Sequence, residues 1–123
     1  MFKSIFINAE TREIVSVNLN DQLIDTYELI GCDYVETAYY LEKNDLMVVD
    51  EEGLFKSDLN GFYIDNRFFY GNAMIWGCDS EGESDNCKCD IDDIISRITF
   101  VDKEMSGVIR NSRLNSFPIV VSA

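Results

Sequence analysis

The chain has 123 residues, no histidine, 23 Asp/Glu and 10 Lys/Arg, for a formal charge of −13 at pH 7. A field this negative repels phosphate backbones and anionic membranes and attracts basic surfaces, which argues against direct nucleic-acid or membrane binding. At 46% hydrophobic content and one-domain length the chain can bury a core, so disorder is disfavoured too.

The charge is unevenly spread. Residues 1–104 carry every carboxylate and eight Lys/Arg, a balance of −15, whereas residues 105–123 carry only Arg110 and Arg113. This divides the chain into an acidic domain, 1–104, and a non-acidic C-terminal tail or terminal strand, 105–123.

In chain order, Phe2–Ile7 has strand composition, Asn8–Arg12 reads as a turn, and Glu13–Leu19 reads as the return strand of a hairpin. Asn20 or Asp21 then suits a helix N-cap and Gly31 a C-cap, which predicts a short helix over 21–30. Its apolar face is Leu23, Tyr27 and Ile30, with Ile24 alongside. Tyr34–Leu41, Leu46–Val49, Leu54–Lys56, Phe62–Ile64 and Ala73–Trp76 follow as candidate strands, separated by Gly, Asn and Asp turn residues. Among these breaks Asn60-Gly61 is a strong hairpin signal. Gly77–Cys89 is biased toward glycine, serine, acids and cysteine. A second helix is predicted from the stripe Ile91, Ile94, Ile95, Ile98 and Val101, capped by Asp90. From Met105 the chain loses its acids and ends in Phe117-Pro118-Ile119-Val120-Val121, a terminal strand, an arm toward a second subunit in a homodimer, or a loose end. The expected fold is α+β, an antiparallel sheet of about five or six strands with two short helices packed on it.

Several constellations bear on chemistry. Cys78, Cys87 and Cys89, with Cys32 from elsewhere, offer thiolates for tetrahedral zinc, but the C-x8-C-x-C spacing lacks the paired C-x2-C knuckles of structural zinc sites. Unliganded thiols or a disulfide are the competing readings. Asp79, Glu81, Glu83 and Asp85 are expected to raise the pKa of neighbouring thiols by repulsion; they also superficially resemble a calcium loop, without its terminal bidentate Glu. Asp50-Glu51-Glu52 before Gly53 reads as an exposed turn rather than a catalytic carboxylate pair. Without histidine there is no Ser-His or Cys-His nucleophile, and no Gly-rich phosphate loop occurs, so the expectation is a protein that is not an enzyme and needs no cofactor. Arg67, Phe68, Phe69 and Tyr70, with Arg110 and Arg113 folded over them, are the best small-ligand candidate.

From Ile30 to about Phe100 the order of elements resembles a small domain-of-unknown-function family of phages, plasmids and other mobile elements. The residues that carry the resemblance are Gly31, Val48-Val49-Asp50-Glu51-Glu52-Gly53-Leu54, Asn60, Gly71-Asn72-Ala73-Met74-Ile75, Gly77-Cys78-Asp79 and Glu81-Gly82-Glu83. The clustered cysteines and the basic tail depart from that pattern. The resemblance supplies no catalytic residues and implies a mobile-element protein.

Joined to the charge, this gives the leading expectation: a phage or mobile-element anti-defence protein in the host-cell cytoplasm. It would bind a basic nucleic-acid-handling host protein, such as a defence nuclease or CRISPR effector, by phosphate mimicry. Its contacts would be Asp50, Glu51, Glu52, Asp79, Glu81, Glu83 and Asp85. The alternatives are a binder that sequesters a nucleotide signal through the aromatic and arginine cluster, and a metal-binding adaptor built on the cysteines.

Overall fold

β1 (Phe2–Asn8) and β2 (Glu13–Leu19) form the expected hairpin, with Phe2 opposite Leu19 and Asn8 opposite Glu13. Its turn is pinned by Asn8, whose Oδ1 accepts from the backbone N–H groups of Glu10 and Thr11, the local bond that favours asparagine at such corners. α1 (Gln22–Ile30) follows with both expected caps: Asp21 accepts from the Ile24 N–H, and Gly31 is left-handed at φ 81°. The computed structural model describes residues 1–115 of the chain.

The buried stripe of α1 differs from the predicted one. Gln22 and Thr26 are buried against the sheet, while Leu23 and Ile24 are about half exposed. Bonds at the helix start, including Asp25 Oδ2 accepting from the N–H groups of Asn20 and Asp21, fix its rotation, and they outweigh the apolar spacing.

The remaining elements are β3 (Val35–Tyr40), β4 (Asp45–Asp50), β5 (Gly61–Ile64), β6 (Arg67–Tyr70), β7 (Ala73–Cys78), β8 (Ser84–Asp85), α2 (Ile91–Arg97), β9 (Ile98–Val101) and α3 (Lys103–Asn115). All strand pairs are antiparallel. The larger sheet runs β2-β1-β7-β4-β3, with β8 pairing the far end of β7; the smaller runs β6-β5-β9. The fold is therefore α+β, with three helices among the described residues rather than two.

Three apolar layers hold it together. Ile5, Ile7, Met47, Ala73 and Ile75 of the large sheet meet Phe62, Ile64 and Ile94 in the central core. The opposite face of the large sheet, with Phe6, Leu46, Val48, Met74 and Trp76, is packed by Ile30 of α1. The outer face of the small sheet, with Phe68, Tyr70 and Val101, is packed by Ile109 of α3. The strands alternate between these layers because successive side chains point to opposite faces.

Three local expectations are corrected. Leu54–Lys56 is not a strand: Gly53–Phe55 is a single tight helical turn where the chain crosses between sheets. The hairpin turn is Asp65-Asn66, both at positive φ (50° and 65°), joining β5 to β6; Gly61 lies inside β5. Glycine is required there for space, since a Cβ would sit 2.4 Å from the Phe68 ring and 2.6 Å from the Phe69 carbonyl oxygen. The predicted second helix stops at Arg97, because Ile98–Val101 pairs with β5 as β9. β-branched Ile98, Thr99 and Val101 suit a strand, and the open edge of β5 decides between two readings of one apolar spacing.

The tail is also different. Met105–Asn115 belongs to a helix, not a terminal strand. Asp102 caps it by accepting from the Met105 N–H, and buried Ser106 fastens it to β5 by accepting from the Gly61 N–H at 2.9 Å. Phe117–Val121 lies outside the described residues. Gly61→Ala is expected to lower stability by about 1–3 kcal/mol in urea unfolding, the cost of overpacking a tight contact; an unchanged midpoint would show that Phe68 yields freely.

Candidate functional site

The two acidic turns sit at opposite ends of the large sheet. β4 runs antiparallel to β7 with Asp45 opposite Gly77 and Val49 opposite Ala73, so Asp50–Glu52 leaves one end and Asp79–Glu83 the other. At ~3.4 Å per residue they are roughly 20 Å apart, well beyond the ~10 Å screening length of 0.1 M salt. Nor are all the acids displayed. Asp50 is paired with Lys56 and accepts from the Glu52 N–H, and Asp85 lies 3.7 Å from Lys88. Asp79 is engaged in its own turn, accepting from the N–H groups of Glu81 and Glu83, and among the described residues no three acids there are placed to hold a cation. Glu51, Glu52, Glu81 and Glu83 are exposed and enter no ion pair among the described residues. The seven predicted contacts thus form two separate patches rather than one phosphate-like strip.

A carboxylate group that the sequence reading missed surrounds Arg97. Its guanidinium donates to Asp65, to Glu42 at 2.9 and 3.2 Å, and to Asp93 at 3.3 Å, while the Tyr39 hydroxyl donates to Asp65 at 2.7 Å. The hydrogen bonds from Arg97 hold the Asp65 and Glu42 carboxyls below their usual range, and the bond to Asp65 raises the Tyr39 hydroxyl. Asp93 and Arg97, four apart at the end of α2, were the only readable sign. The other two acids come from distant loops. The cluster staples the β5–β6 turn to α2 and the turn before β4.

The thiols do not converge. Cys78 packs on the α1 side of the large sheet, whereas Cys87 and Cys89 are buried in the central core. Among the described residues no three Cys, Asp or Glu side chains are placed to hold a metal. Cys87 and Cys89 stand beside the buried carboxylate of Asp45, which accepts from the Lys88 N–H at 2.9 Å, the Cys89 N–H at 2.7 Å and the Cys87 thiol at 3.5 Å. Burial first, then Asp45, pushes the Cys87 thiol to about 11 and that of Cys89 to about 12. The expected cause, repulsion by the Asp79–Asp85 acids, is replaced by these two.

The aromatic and arginine group is partly assembled. α3 brings Arg113 over the Phe68 ring at 5.4 Å, and the Arg110 Nε–H donates to the Leu54 carbonyl at 2.8 Å. Arg67 lies instead over Tyr39 at 5.1 Å. Phe68 and Tyr70 are buried on the outer face, while Phe69 points to the central core against Phe62 and Tyr39. Of the six, Phe69, Tyr70 and Arg113 line a common cleft, and Arg67, Phe68 and Arg110 do not.

What the structure does place nearby is an open cleft of about 420 Å³, where the two sheets diverge. One lip is β3, at Glu36, Thr37 and Ala38; the other is β6, at Phe69 and Tyr70. Glu51 and Phe55 stand at the end beside the acidic turn, and Arg113 approaches from α3. Phe55, at 72% exposure, is among the most exposed large apolar side chains.

The family model described as "Domain of unknown function (DUF3846)" matches residues 2–99. The chain belongs to the DUF3846 family. The match begins at β1, further toward the N-terminus than the resemblance through Ile30–Phe100 implied, and ends in β9. Both sheets thus lie almost wholly in the DUF3846 region, while α3, with Arg110 and Arg113, follows it. No curated protein and no solved structure matches the chain.

Two outcomes test the electrostatics. With an aromatic disulfide reagent at pH 8, the half-buried Cys32 and Cys78 are expected to react in the native protein, and Cys87 and Cys89 only after unfolding; rapid release of four equivalents would contradict the shielding. For Asp65 and Glu42 the folded pKa lies below the unfolded one, so their stabilisation is full above about pH 5 and fades as pH falls through the folded values. Arg97→Met should therefore lower stability at pH 7 and flatten or invert the acid limb, read by urea denaturation from pH 7 to pH 2. An unchanged acid slope would show that Arg97 is electrostatically idle.

Proposed function

We propose that this DUF3846 domain is a non-enzymatic acidic interaction protein that binds a basic protein partner. The observation that carries this is the set of exposed glutamates at both ends of the large sheet, in no ion pair among the described residues, on a chain of net charge −13. Such a surface accelerates encounter with a basic partner and discourages acidic ones. The resemblance to phage and plasmid proteins favours a nucleic-acid-handling host protein as the partner, with a defence nuclease or CRISPR effector as the target to try first. Phosphate mimicry, in this reading, is confined to one end at a time, because roughly 20 Å separates the two turns. The Asp50–Glu52 end is favoured, since its carboxylates adjoin the cleft and the exposed Phe55, which adds apolar area to charge.

Sequestration of a nucleotide signal is the second reading, supported by the approach of Arg113 to Phe68. Against it, Glu36, Asp50 and Glu51 line the same cleft as Arg113 and oppose an anion.

Immobilised protein is expected to retain a basic nucleic-acid-binding protein from host lysate at low salt and release it at high salt, identified by mass spectrometry. Glu51→Lys with Glu52→Lys should reduce retention at least about tenfold, as like charge at a rim does. Retention of nothing basic, together with thermal stabilisation by a nucleotide, would replace this function with the second one.

A further inference from the structure

We infer that the cleft between β3 and β6 is a docking site for an extended basic segment of a partner protein, which adds as a strand to the β3 edge and seats an apolar side chain against Phe55 and Phe69. This rests on the interaction-protein reading above and names where and how such a partner binds.

Three observations converge on it. The first is backbone availability. Among the described residues β3 pairs with β4 alone and β6 with β5 alone, so both lips of the cleft are sheet edges. An unpaired edge is a template for an added strand, whose main-chain hydrogen bonds supply affinity and whose alternate side chains supply specificity. The register of β3 shifts between Thr37 and Tyr39 and leaves Ala38 without a partner on β4. That bulge sits at the lip of the cleft, as bulges beside binding sites do when they re-aim a strand.

The second is apolar surface. Tyr34 (64% exposed) and Tyr40 (75%) bracket β3, and Phe55 (72%) stands beside the Asp50–Glu52 turn. Aromatic side chains held in solvent around one strand edge match the composition of interface cores. The cleft of about 420 Å³ has room for a large apolar side chain, with Val49 and Leu54 as further walls.

The third is charge, and it selects the occupant. Glu36, Asp50 and Glu51 line the cleft with Arg113, and among the described residues the ion pair of Lys56 is with Asp50. A second copy of the chain would bring one acid-lined cleft against another, and an acidic or phosphorylated segment would meet the same repulsion. A segment with one apolar residue and a Lys or Arg two positions to either side of it satisfies every requirement at once. On an added strand these three side chains share the face that enters the cleft, so the apolar one seats against Phe55 and Phe69 and the basic ones meet Glu36 and Glu51.

The test uses the full-length, ¹⁵N-labelled protein and the synthetic peptide Ser-Lys-Val-Phe-Val-Lys-Ser, whose Lys, Phe and Lys share one strand face. Amide shifts are expected at Thr37, Ala38 and Phe69. Binding should weaken at least about tenfold in Glu36→Lys with Glu51→Lys, and in Phe55→Ala, all exposed positions whose substitution spares the core. A peptide of equal charge with both valines replaced by proline should also lose at least about tenfold, because proline removes ladder hydrogen bonds and leaves charge untouched.

Equal binding of the proline peptide, or shifts confined to the Asp79–Asp85 loop, would overturn the inference. Shifts at the same amides on concentrating the protein alone would assign the cleft to a second copy and overturn it too. The lysate experiment repeated with Glu36→Lys and Phe55→Ala separates the two claims. A basic partner retained undiminished leaves the interaction reading standing and removes the cleft from it; a partner lost by both variants supports the cleft.

Discussion

The buried carboxylate of Asp45 ties the two halves of the molecule together. It stands at the first residue of β4, 1% exposed, and accepts from the backbone N–H groups of Lys88 and Cys89 in the segment that leads into α2 and β9. Hydrogen bonds to a charged group contribute about 1.5–3 kcal/mol each, whereas a buried carboxylate without partners costs several. Asp45 is therefore tolerable only where the 87–89 segment meets it, and the Lys88 and Cys89 N–H groups find their partner there. Cys87 and Cys89 enter the core as a consequence, packed as small apolar residues rather than reactive thiols.

That tie sets the relation of the sheets. The segment after β8 is also fixed to β1, where the Cys87 N–H donates to the Lys3 carbonyl and the Lys3 N–H to Asn86 Oδ1. α2 then drops Ile94 into the core and delivers β9 to the edge of β5. Arg97 closes the same side by holding Glu42, Asp65 and Asp93 together. With that side bonded and Tyr39 of β3 held to Phe69 and Asp65, the cleft opens at the Glu36–Ala38 end of β3. The cleft is the geometric remainder of a sandwich fastened along one side.

Charge follows the same division. Part of the acidity is structural, spent on Asp45, on the Arg97 cluster and on helix caps at Asp21, Asp90 and Asp102. What remains outward is shared between loops and element surfaces, and the loop at Glu51 adjoins exposed Phe55 and the open edge of β3. Net charge alone does not separate these roles, because a carboxylate that caps a helix and one that faces a partner count equally.

Much of the local structure was legible in the residues. The β1–β2 hairpin, the Asp21 and Gly31 caps of α1, the Asp90 cap of α2 and most strand positions follow from signals a few residues long, where backbone preference and side-chain hydrogen bonds act within one turn. The acidic surface, too, is a property of composition. Long-range partners made the remaining decisions. Ile98–Val101 became a strand because β5 offered an edge, and Gly61 was spent on clearance from Phe68 rather than on a turn. α3 formed without a clear apolar stripe because Ser106 and Ile109 found the small sheet. The separation of the two acidic turns, the convergence on Arg97 and the cleft all bring together residues tens of positions apart, and sequence spacing holds no record of such contacts. Sequence set the elements and the sign of the field; packing decided which carboxylates face outward and where a partner finds an open edge.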